Sequence, residues 1–357
     1  MHISELETPA LVVDLGIMER NLERAARYAR EHSLRLRPHT KTHKIPALGR
    51  RQLELGAAGL TVAKTTEAEV MLEAAPPDLL VAYPVLGAAK LERLRRIAAR
   101  TRVSVALDSL EAARALADLG LEIGVLVEVD FGLGRTGVAP AGAPALIQSV
   151  LALPHLRWDG INFYPGHIKG SGGGDEAALA RLRRDLHDLL TTLTALRLYP
   201  EIVSGGSTPL LYHSHTIEGM NEIRPGTYIF NDLNTASMGA CSLEDCAASI
   251  LATVISRREG HVILDGGSKT FSSDRLATGG PGFGYLPAYP EAVFHKMNEE
   301  HGYVDVRACR NAPALGERVQ VIPNHICVAV NLHEGVYGVR NGAVEQVWTV
   351  AGRGKLQ

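Results

Sequence analysis

No run of apolar residues in this chain approaches the roughly 20 needed to cross a bilayer, so no membrane-spanning helix is expected. Charge of neither sign is in excess: 37 lysines and arginines stand against 39 aspartates and glutamates, for a net charge of −2. Without a basic excess or a block of like charge, neither nucleic acid nor a membrane surface is an expected partner. Cysteine is scarce. The four present, Cys241, Cys246, Cys309 and Cys327, lack the tight paired spacing of a disulfide framework and fit a reducing, cytoplasmic setting. The first residues, Met1-His2-Ile3-Ser4-Glu5-Leu6-Glu7, have neither the basic start nor the apolar stretch of a secretory signal. Low-complexity tracts are absent.

What is there is a chain of 357 residues, 46% hydrophobic, which is long enough for a large core and a second unit. A short strand at 10–15 precedes a regular alternation. Apolar or β-branched runs at 34–41, 59–63, 79–83, 102–107, 121–129, 158–164, 200–204 and 226–230 read as strands. Helical stretches rich in Ala, Leu, Glu and Arg fall at 17–31, 46–57, 66–75, 88–99, 109–119, 141–152 and 174–197. Such repetition means a parallel sheet, and about eight units over some 200 residues suit a (β/α)8 barrel. After about residue 235 the helical period fades. Stretches 248–257, 261–265, 318–323, 326–331, 335–339 and 344–350 read as strands joined by Gly-rich turns, with Asn341-Gly342 a hairpin signal. The fold class expected is therefore α/β: a barrel over 10–235 and a mostly antiparallel β-domain over 236–357, together with residues 1–9. The stretch 271–316 reads as an irregular excursion.

In a barrel the C-terminal strand ends form the active face. The first delivers the stretch Leu36-Arg37-Pro38-His39-Thr40-Lys41-Thr42-His43-Lys44, dense in ionisable groups. Later ones deliver Lys64 and Thr66, Tyr83, Asp108, the loop Asp130 to Gly137 with Arg135, then Tyr164 and His167, and finally Tyr228. Asp108, just before Ser109, reads as a helix cap. Ser204-Gly205-Gly206-Ser207-Thr208 closes the seventh strand. Bare backbone N–H groups and hydroxyls in that arrangement cradle a phosphate. An arginine in a Gly-rich turn can hold an anionic oxygen. A lysine, a phosphate cradle and an arginine at one barrel mouth point to pyridoxal 5′-phosphate, with a lysine holding the cofactor covalently. Spacing alone leaves Lys41 and Lys44 both open for that role.

Five motifs then occur in order: Arg37-Pro38-His39-Thr40-Lys41-Thr42-His43-Lys44, Asp130-Phe131-Gly132-Leu133-Gly134-Arg135-Thr136-Gly137, Tyr164-Pro165-Gly166-His167, Ser204-Gly205-Gly206-Ser207-Thr208 and Pro323-Asn324-His325-Ile326-Cys327. Together they resemble the D-threonine aldolase / D-serine dehydratase group of the alanine racemase-like (fold type III) enzymes. The resemblance covers nearly the whole chain. It implies a pyridoxal-phosphate barrel of alanine racemase type, a C-terminal β-domain and a homodimer whose active sites use both subunits. It also selects Lys41 as the covalent lysine, with His39, Arg135, Tyr164, Gly205, Gly206, Ser207, Thr208 and Tyr228 around the cofactor and His167 near the ring or a metal.

His325 and Cys327 stand two apart on an expected strand, so both side chains face one way. Imidazole with thiolate suits zinc, with manganese or cobalt as alternatives, and two ligands imply an open site. In the group resembled, dehydratases carry His-x-Cys here and D-threonine aldolases tend to carry His-x-Asp. The expectation is a lyase that removes water and then ammonia from a small D-3-hydroxy amino acid, D-serine or threo-3-hydroxyaspartate. The alternatives are retro-aldol cleavage and amino-acid racemisation. Arg37 and Lys44 are expected on the phosphate side or the surface.

Overall fold

The computed structural model describes residues 1–169 and 175–357. It divides into two units: Arg24–Gly226 with Gly354–Gln357, and Met1–Glu23 with Thr227–Arg353. Among the described residues no helix is long and apolar enough to cross a membrane.

The first unit is the barrel. Its eight parallel strands run in the order Arg35–Leu36, Glu222–Ile223, Ile202–Gly205, Leu156–Asn162, Ile123–Glu128, Arg102–Leu107, Asp78–Val81 and Leu60–Val62. A parallel bridge from His39 to Thr61 closes the ring. Strands covered on both faces must be apolar throughout, and all six residues of Ile123–Glu128 are buried. The helices between them bury one stripe each. Glu176–Ala195 turns Leu179, Leu182, Leu186, Leu189 and Leu193 inward, the spacing of a 3.6-residue period. Residue 174, the start expected for this helix, lies outside the described residues.

The eighth strand is Glu222–Ile223, not 226–230. Pro225 lacks an N–H for a ladder, and Gly226 lies where a Cβ would come within 2.8 Å of Thr42 Oγ1 and 3.0 Å of the His39 carbonyl. The chain then makes a single 3-10 turn, Thr227–Ile229, which carries the buried Tyr228.

One end of the barrel is filled with charge. Arg37, 1% exposed, donates through Nε to Glu222 Oε2 at 2.9 Å and through Nη1 to Asp78 Oδ1 at 2.7 Å. Ser204 Oγ donates to Glu222 Oε1 at 2.6 Å, and Ser104 Oγ to Asp159 Oδ2 at 2.7 Å. Asp78 and Glu222 each open a strand and Arg37 directly follows Arg35–Leu36, so the network ties three strands together inside the barrel. Arg37 is thus neither at the surface nor beside a phosphate. Arg37→Met removes the buried counter-charge shared by Glu222 and Asp78, leaving each only a longer contact to a partly exposed arginine, Arg35 at 3.8 Å and Arg102 at 3.5 Å, and is expected to cost about 3–5 kcal/mol. Urea unfolding checks this, and an unchanged midpoint would show the network to be dispensable.

The second unit is a nine-stranded, mostly antiparallel sheet. Its main path is Val293–Met297, Gly302–Asp305, His261–Leu264, Ala248–Arg258, Ala10–Asp14, Gly335–Arg340 and Ala343–Thr349. Arg318–Pro323 pairs with Ala248–Arg258, and Gly284–Tyr285 pairs with Arg318–Pro323. The hairpin at Asn341-Gly342 forms with φ of 49° and 81°, as a two-residue turn of the primed type requires. Three expectations are corrected. Ala10–Asp14 hydrogen-bonds into this sheet rather than the barrel. The excursion 271–316 contains Val293–Met297 and Gly302–Asp305, which extend the sheet. Residues 326–331 fall within a short helix, Ile326–Leu332. A short apolar run reads alike as strand or buried helix, and here Asp232 Oδ2 caps the Ile326 N–H at 3.0 Å.

Candidate active site

The C-terminal strand ends of the barrel gather one group of residues. After Arg37 the chain makes a 3-10 turn, Thr40–Thr42, in place of the strand expected to run to 41. His39 caps this turn, its Nδ1 accepting the Lys41 N–H at 3.4 Å. Lys41 is exposed, with Nζ 5.8 Å from the centroid of the Tyr164 ring. The Arg135 guanidinium lies 5.0 Å from the same centroid. Lys41, Tyr164 and Arg135 therefore converge from three separate loops. Lys44 does not join them: its Nζ is paired with Glu67 Oε1 at 3.0 Å, and both residues are buried. This corrects the expectation of a surface or phosphate-side residue.

Burial, together with the charges of Lys41, Arg224 and Arg135, holds the His39 imidazole well below its usual range, so it is neutral. Burial lowers Arg224 to about 10 against the opposing pull of Glu222 and Glu128, and burial raises the Glu128 carboxyl. Arg224 donates to Ser204 Oγ and, at 2.9 Å, to the Phe163 carbonyl. The mouth is thus cationic on balance, as an anionic ligand requires.

His43 plays a different part. Its Nδ1 accepts the Ile45 N–H at 3.0 Å, so Nε2 carries the proton and donates to Gln52 Oε1 at 3.3 Å. Burial pushes its pKa down to about 4. A histidine depressed from about 6.5 contributes stability above that value and loses it as pH falls toward 4. The contribution is roughly 3 kcal/mol. A His43→Gln variant is expected to show a flatter stability profile from pH 6.5 to 4 in urea titrations; a profile parallel to wild type would contradict this.

The loops are shaped by their own side chains. Asp130 Oδ1 accepts the N–H groups of Gly132 and Leu133 at 2.9 Å and of Gly134 at 3.2 Å, which fixes the loop bearing Arg135. Asp108 accepts the Gly137 N–H at 2.9 Å, while Ser109 is the helix cap; the cap expected of Asp108 is therefore one residue off. His167 lies against Gly132, and its Nδ1 is buried without a partner among the described residues.

The Gly205-Gly206 pair has a specific steric reason. A Cβ on Gly205 would fall 2.3 Å from the Phe163 ring, and Gly206 has φ of +84°. The N–H groups of Gly206, Ser207 and Thr208 find no acceptor among the described residues. Ser207 and Thr208 are buried, and the turn leads into the 3-10 helix Leu211–Thr216. Free donors at a cradle only glycine can form, an exposed lysine, and an unpartnered imidazole nitrogen together fit pyridoxal phosphate.

In the second unit, His325 occupies the N-cap position of the helix Ile326–Leu332 without a side-chain capping bond, and Cys327 lies in its first turn. The pair shares a face through this turn rather than through strand alternation. His325 Nδ1 bonds to Asp274 Oδ2 at 2.7 Å, which leaves Nε2 for the Cys327 thiol, within hydrogen-bonding reach of the ring. Burial lowers the His325 pKa, but Cys327, Asp232 and Asp274 outweigh it and push it up to about 10. Cys327 Sγ also lies 3.6 Å from Thr227 Oγ1. No group of three or more His, Cys, Asp or Glu able to hold a metal occurs among the described residues. A nitrogen and a sulfur donor fit an ion that keeps open positions for water or substrate.

Sequence reasoning missed Arg224 and Asp274. Arg224 stands in Arg-Pro-Gly directly after the strand that was itself misplaced, and Asp274 lies in a stretch read as irregular.

Residues 13–233 match the family described as "Alanine racemase, N-terminal domain", and residues 247–339 match "Putative serine dehydratase domain". The chain is 33% identical over 366 residues to a D-threonine aldolase of Arthrobacter sp, spanning 99% of this chain and 94% of the relative. It is also 33% identical over 351 residues to a D-threo-3-hydroxyaspartate dehydratase of Delftia sp., spanning 90% and 91%. Among solved structures, a D-threonine aldolase from Filomicrobium marinum superposes with a TM-score of 0.91 at 32% identity, covering 99% of this chain and 97% of that one. Two D-threo-3-hydroxyaspartate dehydratase structures carry alanine for a cysteine, in a metal-free form, and alanine for a histidine two positions earlier. This chain belongs to the alanine racemase-like family of pyridoxal-phosphate enzymes, in the lyase branch that joins the racemase barrel to a serine dehydratase domain.

Proposed function

We propose that this protein is a metal-dependent ammonia-lyase acting on D-3-hydroxy amino acids, of the D-serine or threo-3-hydroxyaspartate type. The observation that carries the reading is the His325 and Cys327 pair, with Nδ1 of the imidazole held by Asp274 and the thiol within hydrogen-bonding reach of the ring. The metal-free cysteine variant of the related dehydratase supports a metal role for a His-x-Cys pair.

Lys41, Arg135, Tyr164 and the Gly205 to Thr208 cradle would hold pyridoxal phosphate, with His39 and Tyr228 in supporting roles. Bound there, the cofactor supplies an electron sink that makes the substrate Cα proton acidic. The amine of Lys41 takes that proton. The Gly206, Ser207 and Thr208 N–H groups would receive the cofactor's phosphate, and Arg135 would balance its negative charge. His39, neutral, meets an anionic group without adding a further charge. His325 and Cys327 would hold zinc, or manganese or cobalt, and such an ion supplies Lewis acidity for departure of a 3-hydroxyl. His167, with Nδ1 unpartnered, is free to give a proton to the leaving oxygen. Loss of water across Cα and Cβ gives an enamine, which hydrolyses to a 2-oxo acid and ammonia.

A second reading is retro-aldol cleavage, favoured by the likeness to D-threonine aldolases. There His167 takes the proton of the 3-hydroxyl and the Cα–Cβ bond breaks. The two readings part on products. Purified protein incubated with D-serine is expected to give pyruvate and ammonia, and a chelator is expected to stop it. Glycine and acetaldehyde from D-threonine, with no ammonia from D-serine, would overturn the dehydratase reading. Chelator-insensitive D/L interconversion would favour a racemase.

A further inference from the structure

We propose that Asp274 is a positioning residue for the metal pair, a statement that rests on the reading of His325 and Cys327 as ligands. Its Oδ2 lies 2.7 Å from His325 Nδ1. A carboxylate there holds a ring proton on Nδ1, so that Nε2 is the nitrogen an ion would take in exchange for its proton, and it fixes the ring plane. Among the described residues the Asp274 carboxylate forms no salt bridge to a lysine or arginine, so His325 is its one charge-bearing partner.

The backbone is built to deliver this carboxylate. Ser272, two residues earlier, has φ of 70° and ψ of 172°, a region essentially reserved for glycine, and it is 5% exposed. A serine held there is strained, and such strain persists where the surroundings enforce it, typically at functional sites. The Ser272 hydroxyl accepts the Asp274 N–H at 3.2 Å. From the other side, the buried amide of Asn324, the residue before His325, donates to the Asp274 carbonyl at 2.9 Å and to the Gly282 carbonyl at 3.0 Å. The next residue, Arg275, is turned onto the Phe283 ring, 3.9 Å from its centroid. The segment is therefore tied at 272, 274 and 275, and Asn324 links it to the ligand strand-end. A surface loop with no task would relax the strain at Ser272.

The test is zinc affinity, not turnover. Cofactor-loaded wild type, Asp274→Ala, Asp274→Asn and His325→Ala are stripped with chelator and titrated with Zn2+ by calorimetry, with thermal melts of the stripped proteins run alongside. Alanine removes both the acceptor and the charge. Asparagine keeps an acceptor of the same shape, which guards against a variant that fails to fold. Affinity is expected to fall about 100-fold for Asp274→Ala and about 10-fold for Asp274→Asn, with the asparagine variant melting like wild type. Wild-type affinity in both Asp274 variants while His325→Ala loses zinc would overturn the proposal and leave the metal pair standing. Unchanged zinc binding in His325→Ala would overturn the metal pair itself, and the role of Asp274 with it.

Discussion

Lys41→Ala is expected to lack the visible absorbance of lysine-bound pyridoxal phosphate and to turn over at least about 1,000-fold more slowly, since it loses the covalent anchor and the base together. Lys44→Ala is the control that gives the result its meaning. The two lysines stand three residues apart on one motif, yet the turn Thr40–Thr42 sends them to different places. Lys41 reaches the exposed mouth beside Tyr164, and Lys44 is buried against Glu67. Removing Lys44 leaves the Glu67 carboxylate, which also accepts the Ala63 N–H at 2.8 Å, without its buried counter-charge. That costs about 3–5 kcal/mol of stability and leaves the absorbance of the folded fraction intact. Absorbance spectra and denaturation curves of the two variants separate these outcomes. A Lys44→Ala protein that folds but binds no chromophore would reverse the assignment.

The second large effect concerns the metal pair. His325→Ala and Cys327→Ala are each expected to lower turnover by about 100-fold or more, because the proposed open site, with two protein ligands, could not spare either. Cofactor absorbance is expected to survive in both, since the anchor lies on the barrel. Cys327→Asp supplies an oxygen donor in place of sulfur and is expected to retain a divalent ion, with preference moved away from zinc toward manganese. Metal content by elemental analysis, taken with turnover, checks this. Full activity in metal-free protein would remove the metal from the chemistry.

The parts of the fold that were legible in the sequence are those where one physical signal governs. The barrel helices carry a 3.6-residue apolar stripe, as in Glu176–Ala195, and central strands such as Ile123–Glu128 are buried throughout and apolar up to their last residue. The Asn341-Gly342 hairpin needs only two residues of positive φ. Errors fell where partners distant in sequence decide. Glu222–Ile223 is two residues long and is a strand because Arg35–Leu36 and Ile202–Gly205 flank it. The run 326–332 is helical because Asp232, 94 residues earlier, caps it. The strand Ala10–Asp14 opens the chain's alternation but pairs with Ala248–Arg258 and Gly335–Arg340.

The candidate site divides the same way. Residues marked by local motif, Lys41, Arg135, Tyr164 and the glycine pair, could be named from sequence because glycines and prolines set their loops. Those whose partners are distant could not. Arg37 looked like one more cation in a basic stretch, yet Glu222 and Asp78 make it part of the barrel core. Asp274 carried no signal until its contact with His325, 51 residues on, was visible.

The measurement that tests the central claim most directly is a product analysis on a single substrate, D-threo-3-hydroxyaspartate, followed by proton NMR with zinc-loaded enzyme. Dehydration predicts oxaloacetate with one equivalent of ammonia and no glycine. Glycine with glyoxylate in equal amounts, and no ammonia, would contradict the account and make this chain an aldolase.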